Sequence, residues 1–142
     1  MHTLIVDDQA ANRHVLQRML GRFGSCDEAA DGQAAIAALT AAWDAERPYD
    51  LICLDIMMPV LNGQETLVAV RKLETTRGIL NYHRVKVFMV TAIHDESAIN
   101  SAYCDGCTAY LTKPLEYRLL LGNLVHLKLL SPAEVKAQAF SA

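Results

Sequence analysis

Five short apolar runs recur along the chain, and each is followed by a stretch whose apolar residues return at helical spacing. The runs lie in TLIVDD (3–8), CDEAA (26–30), DLICLDIMMPVLNG (50–63), VKVFMVTA (85–92) and TAYLTK (108–113), the second being the weakest. Apolar runs this short, bounded by turn signals, predict strands buried on both faces. After the first run, Ala11, Val15, Leu16, Met19, Leu20 and Phe23 share one side of a helix. Asn12, Arg13, Gln17, Arg18 and Arg22 take the other side, and Gly24 closes it as a C-cap would. DGQAAIAALTAAWDAE (31–46) is an Ala-rich helix with Ile36, Leu39 and Trp43 as its larger contacts. Asn62 predicts the cap of a helix through Leu67, Val70 and Leu73, and Asp95 opens another at DESAINSAYC (95–104). LEYRLLLGNLVHLKLL (115–130) predicts one last long helix. Parallel neighbours need crossover connections, so five strands alternating with five helices predict an α/β fold with a parallel sheet covered on both faces.

A chain of 142 residues with 52% hydrophobic residues suits one domain with one core. Sixteen acids face 13 bases with no long block of either sign, which argues against nucleic acid as a partner. The opening MHTLIVDD enters a strand without a basic leader, and no apolar run approaches the roughly 18 residues of a membrane span. A cytoplasmic protein is therefore expected, with no membrane partner. Cys26, Cys53, Cys104 and Cys107 would be thiols in that compartment.

The polar residues of the predicted strands gather at their carboxyl ends, where open parallel sheets bind ligands. Asp7 and Asp8 close the first strand, Asp55 the third and Thr91 the fourth, and Lys113 follows the fifth. A carboxylate at the end of an apolar strand needs partners, because an unpaired buried charge costs several kcal/mol. Three carboxylates on one rim repel one another unless a cation intervenes. Oxygen ligands without imidazole or thiolate suit Mg²⁺, with Mn²⁺ as a substitute.

VDD, LDIMMPVLNG, VTA and LTKP, in this order and at these strand ends, resemble the receiver domain of two-component response regulators. The resemblance covers about residues 3–130, so a receiver domain is expected over 1–130 and a tail, with a possible short extra helix, over 131–142. It implies the flavodoxin-like receiver fold, a five-stranded parallel sheet of order 2-1-3-4-5 flanked by five helices. It also assigns roles. Asp55 would accept the phosphoryl group; Asp8 and Asp55 would hold Mg²⁺ directly, Asp7 through water, and Met57 by its backbone carbonyl. Thr91 and Lys113 would bind phosphoryl oxygens, and the small Ala92 leaves room for the group. Tyr110 with Thr91 would form the switch, and Pro114 would follow a cis peptide.

The function so implied is a stand-alone response regulator, not a turnover enzyme. Its donor would be a histidine kinase or histidine phosphotransfer protein. Its output would pass to another protein, or to a second copy, through the face of the fourth helix, fifth strand and fifth helix. Two other classes fit some of these residues. A phosphohydrolase with an aspartyl nucleophile also combines acids, Thr, Lys and Mg²⁺, but such enzymes resemble Asp-x-Asp on the first strand. A pseudo-receiver that binds partners without phosphorylation is the other.

Some features fall outside this reading. The pair in CDGC (104–107) lacks a second such pair or a nearby histidine for zinc, so it is expected to be silent. His2, His14, His83, His94 and His126 are scattered. ETTRGILNYHR (74–84) is long for a helix-to-strand connection and predicts an extended helix or an extra turn. At 100° per residue, Leu120, Leu121, Leu124 and Leu127 fall on one face of the last helix, and Leu119 and Leu130 nearly opposite. That predicts a small exposed apolar patch. In SPAEVKAQAF, Ser131, Pro132 and Glu134 form a helix start that could return Val135 and Phe140 onto it.

Overall fold

A computed structural model describes residues 1–140. Five strands, β1 (Thr3–Val6), β2 (Cys26–Ala29), β3 (Leu51–Leu54), β4 (Lys86–Thr91) and β5 (Ala109–Thr112), form one sheet of order β2-β1-β3-β4-β5. All four pairings are parallel. Among the described residues six α-helices accompany it: α1 (Ala10–Leu20), α2 (Gly32–Asp44), α3 (Gly63–Thr76), α4 (Glu96–Cys104), α5 (Tyr117–His126) and α6 (Pro132–Phe140). Among the described residues no helix is long and apolar enough to cross a membrane.

Side chains alternate across a strand, so each apolar run feeds two cores. Leu4, Val6, Ile52, Leu54, Val87 and Met89 pack with Ala35 and Leu39 of α2, Leu67 and Val70 of α3 and Ala102 of α4. Ile5, Leu51, Cys53, Phe88 and Val90 pack on the other face with Leu16 and Leu20 of α1 and Leu120 and Leu124 of α5. Local chemistry sets the helix starts. Asp31 and Asp95 accept hydrogen bonds from the backbone N–H groups of Ala34 and Ala98. Asn62 and Glu65 form a reciprocal capping box at the start of α3.

The long 74–84 connection contains both expected devices. Helix α3 runs on to Thr76, and a 3₁₀ turn follows at Asn81–His83. The extra length has an anchor that the sequence pattern did not mark. Glu74 is fully buried, pairs with Arg71 at 2.7 Å and accepts the Val85 N–H at 2.8 Å. The same Arg71 donates to the carbonyls of Val85 and Gly106, joining α3 to the start of β4 and the turn before β5.

The last helix departs from expectation. Helix α5 ends at His126, and Lys128 takes a left-handed conformation at φ 61°. Leu130 therefore leaves the helical plot, and its backbone N–H bonds the Leu124 carbonyl. It is 4% exposed within the α1/α5 core, whereas Leu119 is 52% exposed. The expected Leu119–Leu130 patch does not exist, because the chain reverses before Leu130 and turns it inward. The following helix does form: Ser131 and Glu134 complete their capping box and Val135 packs against the same core. Gln138 of α6 donates to the Arg22 carbonyl. The side chain of Phe140 lies outside the described residues. At the first helix, a 3₁₀ turn (Gly21–Phe23) separates Leu20 from Gly24, and Val15, expected in the core, is half exposed.

Candidate functional site

Strand register places the acids. Val6 pairs with Leu54 across β1 and β3, so Asp7 and Asp55, each one residue on, emerge side by side. The ladder continues one step further, with the Asp55 N–H donating to the Val6 carbonyl at 3.0 Å. Lys113 follows Thr112, which is level with Thr91, and its N–H donates to the Thr91 carbonyl. Asp7, Asp55 and Lys113 continue the alternation of the residues facing α1 and α5. Their side chains converge accordingly. The Lys113 ammonium lies 2.8 Å from Asp7 Oδ2 and 3.3 Å from Asp55 Oδ2. The Lys113–Pro114 peptide is cis.

Asp7 is 2% exposed and fully engaged. Its second carboxylate oxygen accepts the Gln9 N–H at 2.9 Å, and its backbone carbonyl accepts from Arg13 at 2.7 Å. Asp55 is also buried, while Asp8 is exposed. Partial burial works against the Lys113 ammonium, yet the Asp7 hydrogen bond and the charges of Asp55 and Asp7 outweigh it. They hold its pKa above the ordinary lysine value. Carboxylate oxygens of Asp7, Asp8 and Asp55 all lie within 4.8 Å of one another. That donor set, oxygen alone and rich in negative charge, fits a hard divalent ion such as Mg²⁺ and gives a soft ion nothing to prefer. Among the described residues the Met57 carbonyl accepts no backbone hydrogen bond, and the Met57 side chain is exposed.

The loop after β3 is held close to the helix that follows it. A Cβ on Gly63 would lie 2.1 Å from the Asp55 carbonyl oxygen, so only glycine lets α3 start this near the acid. Beside Lys113, a groove of about 270 Å³ is lined by Asn12, Val15, Leu16, Val90, Pro114 and Leu115.

Thr91 and Tyr110 meet at one residue. The Thr91 hydroxyl, fully buried, accepts the Ile93 N–H at 3.3 Å, and the Tyr110 hydroxyl donates to the Ile93 carbonyl at 2.6 Å. Burial, and after it Asp95, Cys107 and Asp55, push the Tyr110 pKa up, so its hydroxyl remains a donor. Thr91 thus sits at the expected strand end with its hydroxyl turned to its own loop. Ala92 is exposed beside it.

Sequence reasoning missed Arg13, Glu28 and Ile93. Arg13 lies on the polar side of α1 and carries no local signal, since its partner Glu28 is 15 residues away on β2. The cysteines stay outside the rim. All four are free; Cys104 is exposed, and Cys107 is in the core, where burial foremost raises its thiol pKa to about 11. His2 lies against Asp27, where the first two strands begin, with its Nε2 3.1 Å from the carboxylate.

Comparison with known proteins gives one consistent match. A family profile described as the response regulator receiver domain covers residues 3–124. The chemotaxis protein CheY4 of Vibrio cholerae is 28% identical, with a TM-score of 0.71 over 89% of this chain and 97% of that one. A chain in the co-crystal of the Saccharomyces cerevisiae histidine phosphotransfer protein Ypd1 with the receiver domain of its downstream response regulator Ssk1 is 28% identical. Its TM-score is 0.76, over 88% of this chain and 86% of that one. The sensory/regulatory protein RpfC of Xanthomonas campestris pv. campestris is 32% identical over 127 residues, 89% of this chain. The chain spans 16% of that relative's length and 12% of that of the probable histidine kinase 2 of rice.

Proposed function

The chain belongs to the response regulator receiver family, and from that premise we propose that it accepts a phosphoryl group on Asp55 and signals through protein contacts. The observation that carries this reading is the convergence of Asp7, Asp8 and Asp55 with the single ammonium of Lys113, 2.8 Å and 3.3 Å from two of them. A carboxylate is a weak nucleophile, so the site must offset charge on the transferring group. Asp8, Asp55 and the Met57 carbonyl would hold Mg²⁺, or Mn²⁺ in its place, with Asp7 reaching it through water. When bound, the ion neutralises negative charge on the phosphoryl oxygens.

The protein's own groups do the rest. Asp55 Oδ forms a bond to phosphorus as the phosphorus–nitrogen bond of a phosphohistidine donor breaks. Lys113, already held at the rim, binds one phosphoryl oxygen. Thr91 gives up the Ile93 N–H and turns its hydroxyl to another. Because Tyr110 bonds the same Ile93, that movement carries to the surface formed by α4, β5 and α5, where a downstream protein or a second copy would read it. The phosphoryl group carries roughly −1.5 to −2 charges but replaces the charge of the Asp55 carboxylate, so a net gain of roughly one negative charge, together with three acceptor oxygens, supplies the driving force.

The donor would be a histidine kinase or a histidine phosphotransfer protein. The exposed Met57 and Val60 beside Asp55, and the apolar groove beside Lys113, suit a protein donor rather than a free metabolite. The chain would thus be an acceptor that catalyses its own phosphorylation and dephosphorylation, without steady turnover of phosphomonoesters. The test is phosphoramidate with Mg²⁺. Wild type should take up about one base-labile phosphoryl group per chain and Asp55→Asn none. Stoichiometric labelling of Asp55→Asn, or continuous hydrolysis of a phosphomonoester by wild type, would overturn the reading.

A further inference from the structure

We propose that Arg13 is a positioning residue of the acidic pocket, fixing the Asp7–Asp8 peptide so that the exposed Asp8 carboxylate faces the ion. This rests on the receiver reading above. The turn between β1 and α1 must aim two adjacent acids; locally the Asp7 carboxylate braces it by accepting the Gln9 N–H at 2.9 Å, but the cap itself is weak. Gln9, at the N-cap of α1, makes no side-chain cap hydrogen bond, and no acid stands in the first helical turn. A second brace comes from one turn into the helix. An Arg13 guanidinium N–H donates to the Asp7 carbonyl at 2.7 Å, while its Nε donates to Glu28 of β2 at 3.1 Å.

A peptide group is planar, so fixing the Asp7 carbonyl also fixes the Asp8 N–H and Cα, the base from which the Asp8 side chain projects. Asp7 is restrained at every polar atom: N–H to Ala29, the two carboxylate oxygens to Gln9 and Lys113, and the carbonyl to Arg13. Among the described residues Asp8 has none of these restraints, and it depends on the plane. Glu28 in turn holds the guanidinium, two of whose N–H groups point in different directions as only a planar fork allows. The Arg13 side chain is 19% exposed, so this arrangement is built into the surface between α1 and β2.

Two roles for Arg13 predict opposite signs, and this makes the proposal testable. As a mere countercharge beside three carboxylates, Arg13 would compete with a cation, and removing it would tighten Mg²⁺ binding. As a positioning residue, its loss would weaken binding. Residues that orient metal ligands from behind are worth about 10-fold to 100-fold in affinity.

The experiment measures Mg²⁺ affinity by calorimetry on the unphosphorylated full chain, beside the phosphoramidate reaction rate at saturating Mg²⁺ and the thermal midpoint. Arg13→Ala should weaken Mg²⁺ binding by about 10-fold. Arg13→Lys, which keeps the charge but cannot reach both partners as a fork, should also weaken it. Tighter binding in Arg13→Ala, or wild-type affinity in Arg13→Lys, would overturn the proposal. Should Arg13→Ala fail to fold, Arg13→Lys decides alone. Absence of Mg²⁺ binding in the wild type would instead sink the reading of the site, and this proposal with it.

Discussion

Val60 holds φ at 70° in the loop between Asp55 and α3, a left-handed conformation that a β-branched side chain adopts only under constraint. The side chain is 71% exposed, so no packing compensates for it there. The loop is pinned at both ends, by the Asp55 ladder bond and by the approach of Gly63 to the Asp55 carbonyl, and the residue between must turn. Strain of this kind gathers where a backbone is over-determined by a site. Val60→Asn keeps a side chain but tolerates the conformation, and should stabilise the fold by about 1 kcal/mol. Urea denaturation measures this; an unchanged or lower midpoint would mean that Val60 is not strained.

Among the elements, α3 shows how an apparently polar connection becomes structural. Glu74 lies on the last turns of that helix in a stretch rich in polar residues, yet it is buried beneath the partly exposed Arg71 and closes the amino-terminal side of β4 and β5. Removing Glu74 leaves the buried Val85 N–H without its acceptor and takes the carboxylate from Arg71, whereas an exposed pair contributes little. Glu74→Ala should therefore destabilise the protein by about 2–3 kcal/mol. Asp44→Ala, which breaks an exposed pair between α2 and Arg77, should cost less than about 1 kcal/mol. Equal losses in denaturation would show that the buried pair has no special weight. A helical plot assumes that the helix continues, and the left-handed Lys128 ends that assumption two residues before Leu130.

Across the whole molecule, the rim is a joint between distant parts of the chain. Lys113 ties β5 to β1 through Asp7, 106 residues earlier, and to β3 through Asp55. Since its folded-state pKa is raised, Lys113 contributes stability that is complete below the ordinary lysine value and is lost as pH rises through the higher folded-state value. The stability gap between wild type and Lys113→Met should accordingly shrink as pH rises above the ordinary lysine value and through the higher folded-state one. Urea midpoints across that range test it, and a widening gap would contradict the sign. How much of this was legible beforehand follows from range. Alternating strands and helices, the Asn62 and Asp95 caps, the Ser131 helix start and the acids at strand ends all depend on neighbours within about four residues, the reach of helical and strand periodicity. Local sequence alone suffices for all of them. Tertiary structure decided which acid stands beside which, because parallel register sets Asp7 level with Asp55. It also decided the partners of Arg13, Glu74 and Lys113 and the inward turn of Leu130. A polar residue on a helix carries no mark of what will pack over it. Its role is settled when strands far apart in the chain come into register and their connections close over the same end of the sheet.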